Sequence, residues 1–219
     1  MKILISGSSQ GIGRVVAIYF LDKGYDVIGF DVKPSSINNE KYQHFVEDIS
    51  KKDEIIYFDD IDILFNNAGT VNSISDIDNN LKGTINLTEK YINCPSLKSI
   101  LFNASSSAHT GFEFYEYAAS KGGVITYMKN VACRLASRGV TVNSISLGGV
   151  ITASNDVVMN DEKCWEKIIK FTPLKKWMKE EEVAEWVYFL TVINKSASGQ
   201  DFLIDNGEKD LNNTFVWPR

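Results

Sequence analysis

The sequence predicts an α/β protein built on one doubly wound parallel sheet of seven strands, with helices on both faces and residues 1–219 forming a single domain. Three features of the chain support this. Short apolar runs alternate with stretches of helical periodicity from Lys2 onward, and parallel strands need such crossovers. The runs are of the buried type that a sheet covered on both faces requires. The first run ends in a glycine-rich turn, SGSSQGIG, that opens directly into a helix.

In chain order, Lys2 to Ile5 is the first strand. Ile12 to Lys23 is the first helix, because Ile12, Val15, Val16, Tyr19 and Phe20 fall at helical spacing and Gly24 stops it. Asp26 to Phe30 is the second strand, followed by the polar DVKPSSINNE. Further strands are expected at Gln43 to Val46, Ile61 to Asn66, Ser99 to Asn103, Thr141 to Ile145 and Phe202 to Ile204. Helices are expected between them at Asp53 to Asp59, Leu81 to Ile92, Tyr117 to Ser137, Asp161 to Phe171 and Glu180 to Val192. The tail EKDLNNTFVWPR ends in bulky residues near a proline and is expected to pack on its own domain or on a neighbouring subunit.

Composition narrows the partners. A net charge of −5, with no basic block longer than a pair, argues against nucleic acid and anionic membrane surfaces and favours a small-molecule partner. Cys94, Cys133 and Cys164 are odd in number and lack C-x-x-C spacing, so neither a disulfide framework nor a metal site is indicated; reduced thiols and a cytoplasmic location are expected. No apolar run approaches the ~20 residues that a membrane span needs.

The first turn points to a nucleotide. Gly7, Gly11 and Gly13 let the backbone turn tightly and approach a pyrophosphate, which a helix N-terminus stabilises through its free amides and dipole. Ser9, Gln10 and Ile12 complete the turn as cofactor contacts. Asp31 closes the second strand, where a carboxylate accepts hydrogen bonds from an adenosine ribose and repels a 2′-phosphate. NAD is therefore expected over NADP, with Arg14 and Lys33 nearby as a partial offset.

The segment YEYAASK holds two tyrosines and a lysine. Tyr117 and Lys121 are four residues apart and share one helix face, whereas Tyr115 does not join them and is assigned to pocket wall or loop packing. A phenol with a pKa near ~10 becomes a useful base at neutral pH when a cation lies one helical turn away.

These motifs together resemble the short-chain dehydrogenase/reductase family, in its branch with a T-G-x-x-x-G-x-G turn and a Y-x-x-x-K site. The likeness runs through SGSSQGIG, DIS at Asp48, NNAG at Asn66 to Gly69, NLKG at Asn80 to Gly83, NASSS from Asn103, YAASK, VNSISLGGVIT from Val142 and SGQDFLIDNG from Ser198. It implies a Rossmann-like fold and an oxidoreductase that moves a hydride between NAD(H) and a secondary alcohol or ketone. Tyr117 is then the acid/base, and Lys121 tunes it and binds the nicotinamide ribose. Ser106 orients the substrate oxygen, and Asn80 holds a water of the proton relay. By the same resemblance Asn67 and Gly69 border the cofactor ribose, Asp48 and Ile49 the adenine, and Val150 with Thr152 the carboxamide.

The chain departs from the family pattern in two ways, by shortened stretches and by a replaced dipeptide. The stretch from Gly69 to Asn80 and the region between Asp48 and Asp62 are short, and Leu147 with Gly148 replaces the usual proline-glycine. The substrate pocket is affected more than the hydride chemistry. The rival readings are an NADPH-dependent 3-oxoacyl carrier-protein reductase and a non-catalytic dinucleotide-binding module. His109, in the loop between Ser106 and Tyr117, could touch substrate, although a lone loop histidine is more often solvated or packed; His44 is read as structural. A homodimer or homotetramer is expected through the helices at Leu81 to Ile92 and Tyr117 to Ser137.

Overall fold

The computed structural model describes residues 1–112 and 114–211. Its seven strands are β1 (Lys2–Ser6), β2 (Asp26–Asp31), β3 (Tyr42–Val46), β4 (Ile63–Asn66), β5 (Ser99–Asn103), β6 (Thr141–Leu147) and β7 (Asp201–Ile204). They pair in the order β3-β2-β1-β4-β5-β6-β7, every pair parallel. Strand order reverses between β1 and β4, and a crevice opens at the carboxyl ends of the strands at such a switch point.

Alternation along each strand feeds two cores. Leu4 of β1, Leu64 of β4 and Ile100 of β5 point to the face covered by α2 (Thr84–Tyr91) and α4 (Tyr115–Leu135), where they meet Leu87, Tyr91, Val124, Met128 and Val131. Ile3, Ile5, Ile63, Phe65 and Leu101 point to the other face, against Val16 and Phe20 of α1 (Gly11–Asp22) and Val183 and Val187 of α7 (Glu180–Tyr188). A strand buried on both sides must be apolar at every position, which is why these runs lack a polar alternation. The remaining helices are α3 (Ser107–Thr110), α5 (Asp156–Met159) and α6 (Glu162–Phe171).

The expected strands are all present, with bounds shifted by up to two residues. The helix expected over Asp53 to Asp59 is absent; only a 3-10 turn at Lys52–Glu54 forms. Ile55, Ile56, Tyr57 and Phe58 are consecutive, and one helix face cannot bury four consecutive residues. In an extended path Ile55 enters the core and Phe58 packs on it, while Ile56 and Tyr57 face solvent. The helix expected from Leu81 begins four residues earlier, as a π-helical segment at Ile77–Gly83 that runs into α2. The helix at Glu180 likewise ends in a π-helical segment, Phe189–Ile193.

A further expectation is corrected. Tyr115 is the first residue of α4 and 81% exposed, so it is neither pocket wall nor packed loop. The final part of the tail, 212–219, lies outside the described residues. Among the described residues no helix is long and apolar enough to cross a membrane.

Candidate active site

The crevice at the switch point is a cleft of about 690 Å³. Its floor is the turn after β1. Gly7 adopts φ +71°, and a Cβ on Gly13 would stand 2.0 Å from the Gly7 carbonyl oxygen, so the turn closes onto the first residues of α1 only with glycine at both places. Gly7, Gln10, Gly11 and Ile12 line the cleft. Ser9 does not: its amide donates to Asp31 Oδ2 at 3.0 Å and its hydroxyl to the Lys33 carbonyl at 2.8 Å. It ties the turn to the end of β2.

Asp31 lines one end of the cleft and also accepts from the Lys33 amide at 2.9 Å. The Lys33 ammonium donates to Gln10 Oε1 at 3.0 Å, and Lys33 lines the same cleft. His44 supports the same corner through Tyr42 Oη, at 3.1 Å, and the Lys33 carbonyl, at 2.8 Å. Asp48 and Ile49 line the cleft beyond it, with Asp48 Oδ1 accepting from the Ser50 amide and hydroxyl.

The opposite end holds Asn67, Gly69, Tyr117, Lys121 and Thr152. Tyr117 and Lys121 project from the first turns of α4, and Lys121 Nζ lies 5.7 Å from the centre of the Tyr117 ring. Lys121 is only 4% exposed, and its Nζ donates to the Asn103 carbonyl at 2.7 Å. Burial lowers its pKa to about 8, opposed by the negative charge of Asp76.

Asn80 is fully buried in the π-helical segment, behind the cleft rather than on its wall. Its Oδ1 accepts from the Thr70 amide at 2.7 Å; its Nδ2 donates to the Thr70 carbonyl at 2.9 Å and to Ser120 Oγ at 3.1 Å. The widened helical turn lets this side chain reach both neighbours. Ser106, just before α3, is half-buried and hydrogen-bonded through its amide to the Leu147 carbonyl at 2.9 Å. Val150 does not line the cleft. Its side chain is 4% exposed in the core against Met178, which leaves only its main chain for contact with a ligand. His109 Nε2 lies 2.7 Å from Asp201 Oδ2 and 3.2 Å from Ser146 Oγ, a packed histidine tied to β6 and β7.

Several residues of the site carry no assignment from the sequence. Asn103 contributes the carbonyl that holds Lys121, and its Nδ2 donates to Asn67 Oδ1 at 3.0 Å. Its Oδ1 is buried and, among the described residues, has no hydrogen-bond partner. A donor from a bound group would satisfy it. Thr70 and Asp76 also belong here, inside the shortened stretch after Gly69. The Asn-x-Ser order around Asn103 was the available signal for the first; nothing in local spacing marks the other two.

A glycine turn against a helix N-terminus, a carboxylate at one end of the cleft and an orphaned acceptor beside a buried lysine at the other fit a dinucleotide. Comparisons with known proteins agree. A family model described as Enoyl-(Acyl carrier protein) reductase matches residues 7–209. The chain is 31% identical over 223 residues to 3-oxoacyl-[acyl-carrier-protein] reductase FabG of Buchnera aphidicola, spanning 89% of this chain and 90% of that one. It is 28% identical over 246 residues to the protein of that name from Staphylococcus epidermidis, spanning 93% and 97%.

Among solved structures, 4-hydroxyisoleucine dehydrogenase complexed with NADH superposes with a TM-score of 0.85 at 24% identity, over 95% of this chain and 98% of that one. The ligand-free aldohexose dehydrogenase of Thermoplasma acidophilum gives 0.85 at 23%, over 100% and 97%. The chain belongs to the short-chain dehydrogenase/reductase family, and is an oxidoreductase acting on CH–OH groups with a nicotinamide dinucleotide.

Proposed function

We propose that this single-domain protein interconverts a secondary alcohol and a ketone with NAD(H), Tyr117 being the acid/base. The observation that carries the reading is the Tyr117–Lys121 pair, on one face of α4 and opening into the same cleft as the glycine turn. When bound, the dinucleotide supplies or accepts the hydride. The chain does the rest. In oxidation the Tyr117 oxygen takes the alcohol proton as hydride leaves the carbon; in reduction it returns that proton to the carbonyl oxygen. Lys121, kept from water, favours the phenolate and holds the nicotinamide ribose. The Ser106 hydroxyl orients the substrate oxygen. Asn80 acts from behind the wall, fixing Thr70 and Ser120, and the Ser120 hydroxyl donates to the Tyr117 carbonyl at 2.7 Å.

Asp31 favours NAD, since its carboxylate faces the cleft where an adenosine ribose would sit. We further read the protein as cytoplasmic, with Cys94, Cys133 and Cys164 unpaired, and as a homodimer or homotetramer, which light scattering tests. The test of function is an absorbance screen for NADH formation across sugars, polyols, hydroxy acids and steroid alcohols, with Tyr117→Phe as the control. A substrate turned over by native protein and not by the variant is expected; equal rates refute the assignment.

A second reading, reduction of a 3-oxoacyl thioester with NADPH, is favoured by the curated relatives' names and by Lys33, which lines the cleft as Asp31 does and whose ammonium could meet a 2′-phosphate there. Consumption of NADPH, and not NADH, with a 3-oxoacyl thioester would select it.

A further inference from the structure

The shortened stretch between Gly69 and Asn80 folds into a compact turn whose centre is a carboxylate. Asp76 is 1% exposed. Its Oδ1 accepts from the Thr70 hydroxyl at 2.6 Å and its Oδ2 from the Ser73 amide at 3.2 Å. Both donors are neutral, and among the described residues Asp76 enters no ion pair. A carboxylate this deep costs several kcal/mol unless a positive charge balances it.

Thr70 links the carboxylate to the site. Its amide and carbonyl are the two groups that bind the Asn80 side chain, and Asn80 binds Ser120 one residue before Lys121. One chain of hydrogen bonds therefore runs from Asp76 through Thr70, Asn80 and Ser120 to the Tyr117 carbonyl.

The other charges near Lys121 are already engaged or on the outer face. On the packed π-helical segment, Asp78 and Lys82 pair with each other at the surface. On α3, His109 pairs with Asp201. On α4 itself Arg134 pairs with Glu89, while Lys129 is exposed and Glu116 half-buried. β5 and β6 carry no titratable side chain.

Resting on the cofactor role of Lys121 above, we propose that Asp76 is a positioning residue for the Tyr117–Lys121 pair. Its carboxylate pins Thr70, and through it Asn80, and provides the buried negative charge that keeps the Lys121 ammonium charged inside the fold.

The test follows NADH binding, by quenching of protein fluorescence, between about pH 6 and about pH 10. Native protein is expected to lose affinity above a break near pH 8, as Lys121 gives up its proton. Asp76→Asn keeps an acceptor for Thr70 and removes the charge. Loss of a negative charge makes any nearby acid release its proton at lower pH, so the break should move down by at least about half a unit.

Asp76→Glu disturbs the packing and keeps the charge, so its break should stay with the native one even if its melting temperature falls. An Asp76→Asn break that coincides with the native break overturns the proposal; so does an Asp76→Glu break that moves as far as that of Asp76→Asn. Lys121→Met separates the two levels. Loss of the break in that variant, with Asp76→Asn unmoved, rejects Asp76 alone. A native-like pH profile in Lys121→Met rejects both Asp76 and the cofactor role it rests on.

Discussion

Lys121 Nζ is fastened to the Asn103 carbonyl at 2.7 Å, at the end of the strand that leads into the loop carrying Ser106. The anchor fixes a buried ammonium 5.7 Å from the Tyr117 ring centre without neutralising it, because a carbonyl is an acceptor with no charge of its own. An uncompensated positive charge at that distance favours the phenolate form of Tyr117 over the phenol.

Removing that oxygen should stop the chemistry and spare the binding. Tyr117→Phe is expected to lower kcat by about 10²–10⁴-fold, the usual share of a positioned acid/base, with NADH affinity within about threefold of native. Steady-state rates and a fluorescence titration on the same preparation check both. A loss confined to NADH affinity would assign Tyr117 to cofactor binding instead.

The turn after β1 tolerates no side chain at Gly13. In Gly13→Ala the new methyl meets the Gly7 carbonyl at 2.0 Å, so backbone must move. Overpacking of this kind costs about 1–3 kcal/mol, and for a chain of this size that lowers the melting temperature by about 5 °C. NADH affinity should fall more than tenfold, by about 1.4 kcal/mol or more, since the displaced amides are those that would face the pyrophosphate. Calorimetry gives both values.

Asp31 sets cofactor choice if its carboxylate faces the ribose. Asp31→Asn removes the charge and keeps one acceptor for Ser9 or Lys33, so the ratio of NADPH to NADH affinity should rise at least about tenfold. An unchanged ratio would place the adenosine elsewhere.

Much of this site was readable from the sequence because it depends on local geometry. The glycine turn, Asp31 at a strand end and the four-residue step from Tyr117 to Lys121 each follow from one element and its cap. Asn80 could be picked out from NLKG, but its place behind the wall could not, because a π-helical turn leaves no periodic signature. Thr70, Asp76 and Ser120 were hidden for a different reason: their roles exist only where the turn after Gly69 meets the start of α4. The missing helix after Asp53 shows the opposite failure, in which apolar content was mistaken for periodicity. Val150 was placed by the family resemblance, and burial of its side chain against Met178 leaves its main chain as the part a ligand would meet.

Glu47 gives a pH-dependent prediction outside the chemistry. Only 8% exposed, its carboxyl is pushed above the ordinary glutamate range by burial. A raised carboxyl keeps its proton longer in the folded than in the unfolded chain, so stability falls as pH rises from the unfolded value through the folded one. Glu47→Gln removes the buried charge and should raise the melting temperature at pH 7 by about 2–4 °C, worth about 1 kcal/mol. The gain should vanish near about pH 4, where both states carry a neutral carboxyl. Thermal melts at the two pH values decide it.

The most direct measurement is a crystal structure of the protein with NADH. The account predicts the pyrophosphate over Gly11 to Gly13, Lys121 Nζ within about 2.7–3.2 Å of a nicotinamide ribose hydroxyl, and the Tyr117 oxygen on the same side as the reactive ring carbon. A ribose beyond hydrogen-bond reach of Lys121, or a Tyr117 oxygen turned away from the nicotinamide, would contradict it.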